Sequence, residues 1–375
     1  MKTIGVICEY NPFHNGHQRQ LDWIRANCGE DCVTVCLMSG NFVQRGAPAI
    51  VDKTLRAQAA VLSGADLVLE LPVSISLSSA EGFAAGGVRL LSRFCDVLCF
   101  GTESMAEGAL YHTAQALLSP EFSCFLKEEL SKGCSFPSAR QAALSRMGLG
   151  VTLSNPNDIL AVEYTKAILS QHAPMTILPI LRTGNYHDDE LNSLSPSATA
   201  VRKALLSRGS WETAVPPSTV SLLKNAPLHT LGAGERAIVA KLRSMEEAEF
   251  QQLPYGSEGL WRKLMKAVRT QSDLSSIIDA TKSKRYTRTR IDRMILCAFL
   301  GLTQEDLGVV PEKIRVLAFN NRGRSVLRVH NCFLNAGEAV EESERRISSL
   351  YGLFGLNGID PPNIEEKRRI VYHQE

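Results

Sequence analysis

Short apolar runs rich in β-branched residues punctuate the first half of the chain: TIGVIC (3–8), VTVCLM (33–38), DLVLEL (66–71), DVLCF (96–100) and MTILPIL (175–181). Each is apolar on both faces, as strands covered by helices on both sides must be. Between them the apolar positions take helical spacing, over Gly16 to Asn27, Lys53 to Ser63, Ala80 to Ser92 and Asn157 to Ser170. Strand alternating with helix predicts an α/β domain built on a doubly wound, Rossmann-like parallel sheet. Residues 105–149 carry helical patterns only and read as an insertion before the last strand.

From about Ser195 the texture changes. Helical patterns dominate over Ala198 to Ser207, Gly234 to Glu249, Leu260 to Gln271 and Thr287 to Gly301. Two late apolar runs, IRVLAFN (314–320) and RSVLRVH (324–330), flank Asn321-Arg322-Gly323 and read as a hairpin. A helix of mixed charge follows over Ala336 to Leu350. The Pro-rich AVPPSTVS (214–221) marks a break between the two textures. The expectation is an α/β domain over 1–210 and a mostly α-helical domain over 211–375, and 375 residues suit two domains.

Composition narrows this only slightly. With 44% hydrophobic and 21% charged residues the chain can bury a sizeable core. A net charge of +2 gives no global attraction to polyanions, so any nucleic-acid surface must be local. No run approaches ~18 apolar residues, and Glu9 interrupts the N-terminal run before it reaches signal-peptide length. A cytoplasmic protein without membrane contact is expected. Among the ten cysteines there is no C-x-x-C pair. Cys36 and Cys99 sit inside apolar runs as core thiols, and a zinc site from Cys28, Cys32 and Cys36 would need a strand and a helix end to converge. No metal site is expected.

The chemistry begins at EYNPFHNGHQRQL (9–21), where the first strand meets the first helix. In doubly wound sheets, ligands bind beyond the carboxyl ends of the strands. A helix N-terminus offers unpaired N–H groups to phosphate. His14 and His17, three apart on the first turn, could both donate to a charge-rich phosphorus centre, and Gly16 lets the backbone approach it. Two other readings stay open: a zinc site, which lacks a third ligand nearby, and a capping turn with surface histidines.

His14-x-Gly16-His17 after a first strand resembles the HxGH signature of the HIGH-type nucleotidyltransferases, which attack the α-phosphate of a nucleoside triphosphate and release pyrophosphate. GVICEYNPFHNGHQRQL, with MSGNFVQRGAPAIVDK (38–53), ADLVLELP (65–72), PNDILAVEY (156–164) and SKRYTRTRIDRMIL (283–296), resembles something narrower. It is similar to the bacterial tRNA(Met) cytidine acetate ligase family across nearly the whole chain. That family joins acetate and ATP into acetyl-adenylate, with magnesium, and passes the acetyl group to N4 of the wobble cytidine of elongator tRNA(Met).

The resemblance implies that ATP is held by Ile7, Cys8, Glu9, Tyr10, Asn11, Pro12, Phe13, His14, Asn15, Gly16, His17, Gln18, Arg19 and Gln20, together with Gly101, Asn157 and Arg182. It makes His14 and His17 catalytic. From the residues alone, Asn157 reads equally as a helix cap and Arg182 as a surface ion pair. Ser197, Thr199 and Arg202 resemble a second phosphate motif, with an ordinary capped helix as the alternative. Lys53 and Arg56 are either anion contacts or solvated charges. Two departures stand out: Thr54 follows Asp52-Lys53 where relatives carry an aromatic residue, and TGNYHDD (183–189) is displaced, so Tyr186 and His187 receive no role.

The expected partners are tRNA and acetate; no protein partner is inferred. Lys282, Lys284, Arg285, Arg288, Arg290 and Arg293 crowd into twelve residues against Asp292 alone. Such density can follow an RNA backbone, with Tyr286 available for stacking, or it is a solvated helix face. Two other functions fit parts of the pattern. A small-molecule adenylyltransferase would need no basic platform, and a non-catalytic ATP-dependent RNA-binding protein would need no chemistry.

Overall fold

The structure, a computed structural model, describes residues 1–151, 153–181, 196–334, 338 and 341–374. Its strands are β1 (Thr3–Cys8), β2 (Val33–Ser39), β3 (Phe42–Val43), β4 (Ala47–Pro48), β5 (Leu67–Leu71), β6 (Val97–Thr102), β7 (Thr176–Leu181), β8 (Val316–Phe319) and β9 (Val371–Tyr372). Seven of them form one sheet in the order β7-β6-β1-β2-β5-β8-β9, while β3 and β4 make a small hairpin. The five strands of the first half pair in parallel, which is the doubly wound architecture the sequence predicts.

The period of two along each strand divides the core into two faces. Val33, Val35 and Leu37 of β2, Leu67 and Leu69 of β5 and Leu98 of β6 pack with the helices Ala80–Leu91 and Pro156–Ser170. Cys36, Val68 and Cys99, on the opposite face, pack with Asn15–Cys28 and Lys53–Leu62. Cys36 and Cys99 are thus buried core thiols, and all ten cysteines are free. Residues 105–149 form the expected insertion, with helices at Glu107–Leu118, Pro120–Ser131 and Phe136–Arg146.

The late hairpin does not form. Val316–Phe319 is a strand, but it pairs antiparallel with β5, and Asn321–Val329 is a helix. Two local contacts decide this. The Asn320 side chain accepts the Gly323 N–H at 3.0 Å, a helix cap rather than a turn. A Cβ at Gly323 would lie 2.0 Å from the Asp66 carbonyl, so only glycine lets this helix start against β5. Asp66 is itself a node, taking two hydrogen bonds from Arg25 (2.9 and 3.1 Å), one from the Thr34 amide (2.7 Å) and one from Asn320 Nδ2 (3.0 Å). Strands β8 and β9, both beyond the division expected at 210/211, therefore add two strands to the first sheet.

The second half is helical, as expected, with three differences of detail. The pattern over Gly234 to Glu249 breaks at Met245, because Glu246 and Glu249 build a capping box that starts a new helix at Glu247. The expected helix from Ala336 begins at Glu342; residues 335–337 and 339–340 lie outside the described residues. The third difference is the small hairpin: Phe42, with Val73 and Leu77, joins the core of the helical half beside Leu264, Ile291 and Phe354.

A buried charge cluster ties the C-terminal segment to the sheet. Lys53 pairs with Glu70 at 2.5 Å and Glu365 at 3.3 Å, and Arg315 meets both carboxylates. Arg368 bridges Asp52 and Glu365. Burial pushes the Lys53 ammonium down to about 8, against the pull of Glu70. Burial pushes the Asp52 carboxyl up, but hydrogen bonding and charge from Arg368 prevail and hold it well below the usual range.

Candidate active site

Strands β1 and β6 pair only at Ile4–Val97 and Gly5–Leu98, although both run several residues further. Their carboxyl ends are therefore not paired with one another at the point where the strand order reverses, the crevice position at which doubly wound sheets bind ligands. The chain from Glu9 to His17 enters this crevice through a turn with a cis Asn11–Pro12 bond. Tyr10 sits at φ 45, a left-handed conformation costing on the order of 1–3 kcal/mol for a side-chain-bearing residue. Burial of its ring and a 3.3 Å contact from its hydroxyl to Cys36 Sγ hold it there. The Asn11 side chain accepts the Ile50 N–H at 2.8 Å.

His14 is the N-cap of the helix Asn15–Cys28. Its Nδ1 accepts the Gly16 N–H at 3.1 Å, and His17 Nδ1 accepts the His14 N–H at 3.2 Å. The rings stack at 3.7 Å between centroids and 20° between planes, with Tyr10 4.8 Å and Phe13 5.5 Å from His17. Capping and phosphate binding are thus compatible here. Because both Nδ1 atoms accept backbone N–H groups, the neutral rings carry their protons on Nε2. A site with two stacked imidazoles carrying Nε2–H donors at a helix N-terminus suits an anion in which negative charge develops. His14 is buried and His17 half-buried.

Glycine at 16 is required by the cap itself. An added Cβ would stand 2.9 Å from His14 Cε1 and 3.1 Å from its Nδ1. Gly16→Ala should rotate the His14 ring out of the stack and slow ATP chemistry by about 10-fold to 10²-fold, the usual effect of a small misplacement of a reacting group. Pyrophosphate exchange would measure this, and unchanged exchange would mean that the ring geometry is not used.

Three basic residues considered from sequence behave differently from one another. Arg56 is buried and spends its guanidinium on the carbonyls of Glu9 (2.6 Å), Ser39 (3.0 Å), Gly40 and Val51 (3.0 Å). It neither contacts an anion nor faces solvent; it shapes the loop that carries the histidines. Lys53 is likewise committed to Glu70 and Glu365. Arg202 does join the site: it donates to the Asn11 carbonyl at 2.7 Å and to Thr199 Oγ1 at 3.0 Å, while Ser197 caps its helix through the Ala200 N–H.

At the end of β6, Gly101 pairs with Ile180 of β7. The helix Pro156–Ser170 follows Asn155 at the cap position, so Asn157 is not the cap. Its Nδ2 donates to Glu103 Oε1 at 2.6 Å. Asp158 is fully buried and accepts from the amides of Glu103 (2.8 Å) and Ser104 (3.3 Å) and from the Ser104 hydroxyl (2.7 Å). Glu103 was not singled out from sequence, though its place directly after a strand end in FGTES was a usable signal. Its second oxygen is buried with no hydrogen-bond partner, as are Thr102 Oγ1 and Ser39 Oγ at neighbouring strand ends. Such an oxygen can accept from a hydroxyl or amino group of a nucleotide. Gln18, by contrast, bonds Asp22 and the Ser63 carbonyl, and Gln20 reaches Cys99. Arg182, Tyr186 and His187 lie outside the described residues.

The basic segment divides. Lys282, Lys284, Arg285 and Arg288 are exposed, with Arg285 paired to Glu258 and Arg288 to Asp292. Arg290 turns inward to the Tyr255 carbonyl and Ser257, and Arg293 lies over the Tyr255 ring and donates to the Gln44 carbonyl at 3.4 Å. Tyr286 is buried, with its hydroxyl on the Glu258 carbonyl and Arg290 over its ring, so it is not available to stack on a base. The Gln44 amide in turn donates to Glu9 Oε1 at 2.9 Å, so the β3–β4 hairpin bridges the crevice and the basic helix Arg288–Leu300.

Comparison with known proteins shows the family and the fold. A family model described as HIGH Nucleotidyl Transferase matches residues 1–337. A tRNA(Met) cytidine acetate ligase of Acetivibrio thermocellus is 35% identical over 357 residues, covering 87% of this chain and 85% of that protein. One from Thermosipho melanesiensis is 37% identical over 350 residues, covering 87% and 81%. Among solved structures, apo Thermotoga maritima TmcAL superposes with a TM-score of 0.90 at 28% identity, covering all of both chains. The same protein bound with alpha-thio ATP gives 0.88 at 27% identity, again over all of both chains.

Proposed function

Since this chain belongs to the HIGH nucleotidyl transferase family and, within it, to the tRNA(Met) cytidine acetate ligases, we propose that it activates acetate with ATP and acetylates N4 of the wobble cytidine of elongator tRNA(Met). The observation that carries the chemical half is the stacked His14–His17 pair at the mouth of the β1–β6 crevice. Acetate and the choice of tRNA rest on the similarity to these tRNA(Met) cytidine acetate ligases.

In the first step an acetate oxygen attacks the α-phosphorus in line, the bond to the bridging oxygen breaks, and pyrophosphate leaves. His14 and His17 donate from Nε2 to the charge that develops there; positioning and electrostatics supply the rate. Arg202, held on Asn11 and Thr199, adds positive charge beside the loop. In the second step the cytidine N4 amine attacks the acetyl carbonyl, the bond to AMP breaks, and the amine sheds a proton. The loop from Ile7 to Gln20, with Gly101 and Asn157, is assigned to ATP, and Arg182 joins them on resemblance alone. Magnesium would be carried by the nucleotide and would screen its phosphate charge. Among the described residues no group of three or more metal-type side chains is placed to hold it, so its ligands would be phosphate oxygens and water, and no step is assigned to it. Residues 1–210 are assigned the ATP chemistry and 211–375 the RNA surface. We place the reaction in the cytoplasm; among the described residues no helix is long and apolar enough to cross a membrane.

Incubation with radiolabelled acetate, ATP, magnesium and bulk bacterial tRNA, followed by nucleoside analysis, tests the reading. ATP-dependent label in N4-acetylcytidine is expected. Pyrophosphate release with adenylyl transfer to another acceptor, and unlabelled RNA, would replace it by a small-molecule adenylyltransferase.

A further inference from the structure

The helix Leu260–Thr270 buries Leu260, Leu264, Ala267 and Val268 in the core of the helical half. Its opposite face carries Arg262, Lys266 and Arg269, all exposed. Their i, i+4, i+7 spacing makes a single stripe, about 10 Å long at 1.5 Å per residue. The helix contains no Asp or Glu. Lys263, on its flank, donates its ammonium to the Lys282 carbonyl at 2.7 Å and so fastens the helix to the segment bearing Lys282, Lys284 and Arg285.

This charge is not balanced within the molecule. Several surface cations elsewhere are matched, Lys132 by Glu129, Lys241 by Glu249 and Arg345 by Glu342, while others, such as Lys127 and Arg208, stand singly rather than in a stripe. Among the described residues, Arg262, Lys266, Arg269, Lys282 and Lys284 form no ion pair, and Arg262 instead lies over the Trp261 ring at 4.8 Å. Like charges at i, i+4 repel, so a face of this kind is unfavourable in the free protein and is relieved by a polyanion. Nucleic-acid backbone offers several phosphates over such a length. Meanwhile the exposed Arg288 is paired with Asp292 and Arg290 and Arg293 turn inward, so unpaired basic surface does not continue along 288–293.

We propose that the exposed face of Leu260–Thr270 and the segment Lys282–Arg285 form one continuous, sequence-independent track for RNA backbone, which holds tRNA while its wobble cytidine occupies the crevice. The identity of the RNA rests on the acetate-ligase reading; the track itself does not.

The test is the triple variant Arg262→Ala/Lys266→Ala/Arg269→Ala, three exposed side chains outside the ATP site, with tRNA binding followed by fluorescence anisotropy against salt. Binding should weaken by about 10-fold or more near 0.1 M salt, and the slope of log K against log salt should fall by about two to three, the loss expected for three phosphate contacts. Acetate-dependent pyrophosphate exchange should be unchanged. Binding and slope equal to the parent's would overturn the proposal. So would an equal loss in Lys127→Ala/Lys132→Ala, which removes two exposed cations from the insertion and should leave binding intact. A parent protein that binds tRNA through this face but shows no exchange would refute the acetate-ligase reading and leave the track standing.

Discussion

His17→Ala is expected to lower acetate-dependent ATP–pyrophosphate exchange by about 10²–10³-fold, the usual loss when one preorganised donor to a developing oxyanion is removed. His14→Ala should do the same, with a complication that the structure makes explicit. His14 is also the helix cap, and losing a cap costs about 1 kcal/mol of stability. His14→Asn separates the two roles, because asparagine caps helices well but carries no imidazole. If the ring chemistry is right, His14→Asn restores the melting temperature and remains as inactive as His14→Ala. Near-normal exchange in either alanine variant would remove the histidines from the mechanism. Recovery of exchange in His14→Asn would reduce His14 to a cap.

The second large effect concerns stability. Lys53→Met leaves Glu70 and Glu365 facing one another's charge in the interior with Arg315 and Arg368 as the remaining cations among the described residues. Removing one partner of a buried ion pair costs about 3–5 kcal/mol, since the remaining carboxylate keeps its desolvation penalty without its counter-charge. Urea unfolding should show that loss. Lys53→Met/Glu70→Gln should recover part of it, since the double replacement removes the stranded charge. A loss below about 1 kcal/mol, coupled with a raised KM for ATP, would instead mark Lys53 as an anion contact.

Lys53 and its neighbour Arg56 show what short-range sequence does not encode. Lys53 and Arg56 stand beside a phosphate-binding sequence and look like ligands for it, yet both are buried and satisfied by protein atoms. Arg56 is satisfied by the carbonyls of Glu9, Ser39, Gly40 and Val51, which only the turn geometry brings round it, and Lys53 is held in part by Glu365, more than three hundred residues away. The late hairpin failed for a related reason. Val and Leu at 326 and 327 suit either a strand or a helix, and the choice fell to the Asn320 cap and to the approach of Gly323 to Asp66.

What the sequence alone determined is the part encoded at short range. Runs apolar on both faces required a sheet covered on both sides, and alternation with helical spacing made that sheet parallel. The HxGH string after the first strand is where we propose the chemistry, since strand, turn and helix start are contiguous there. Tertiary structure decided everything that depends on distant segments meeting. It left the carboxyl ends of β1 and β6 unpaired with one another, locked both imidazoles in one tautomer, set Glu103 against Asn157, brought β8 and β9 into the sheet, and chose which arginines face solvent. Periodicity reports which side of an element is buried; it carries no information about which remote residue does the burying.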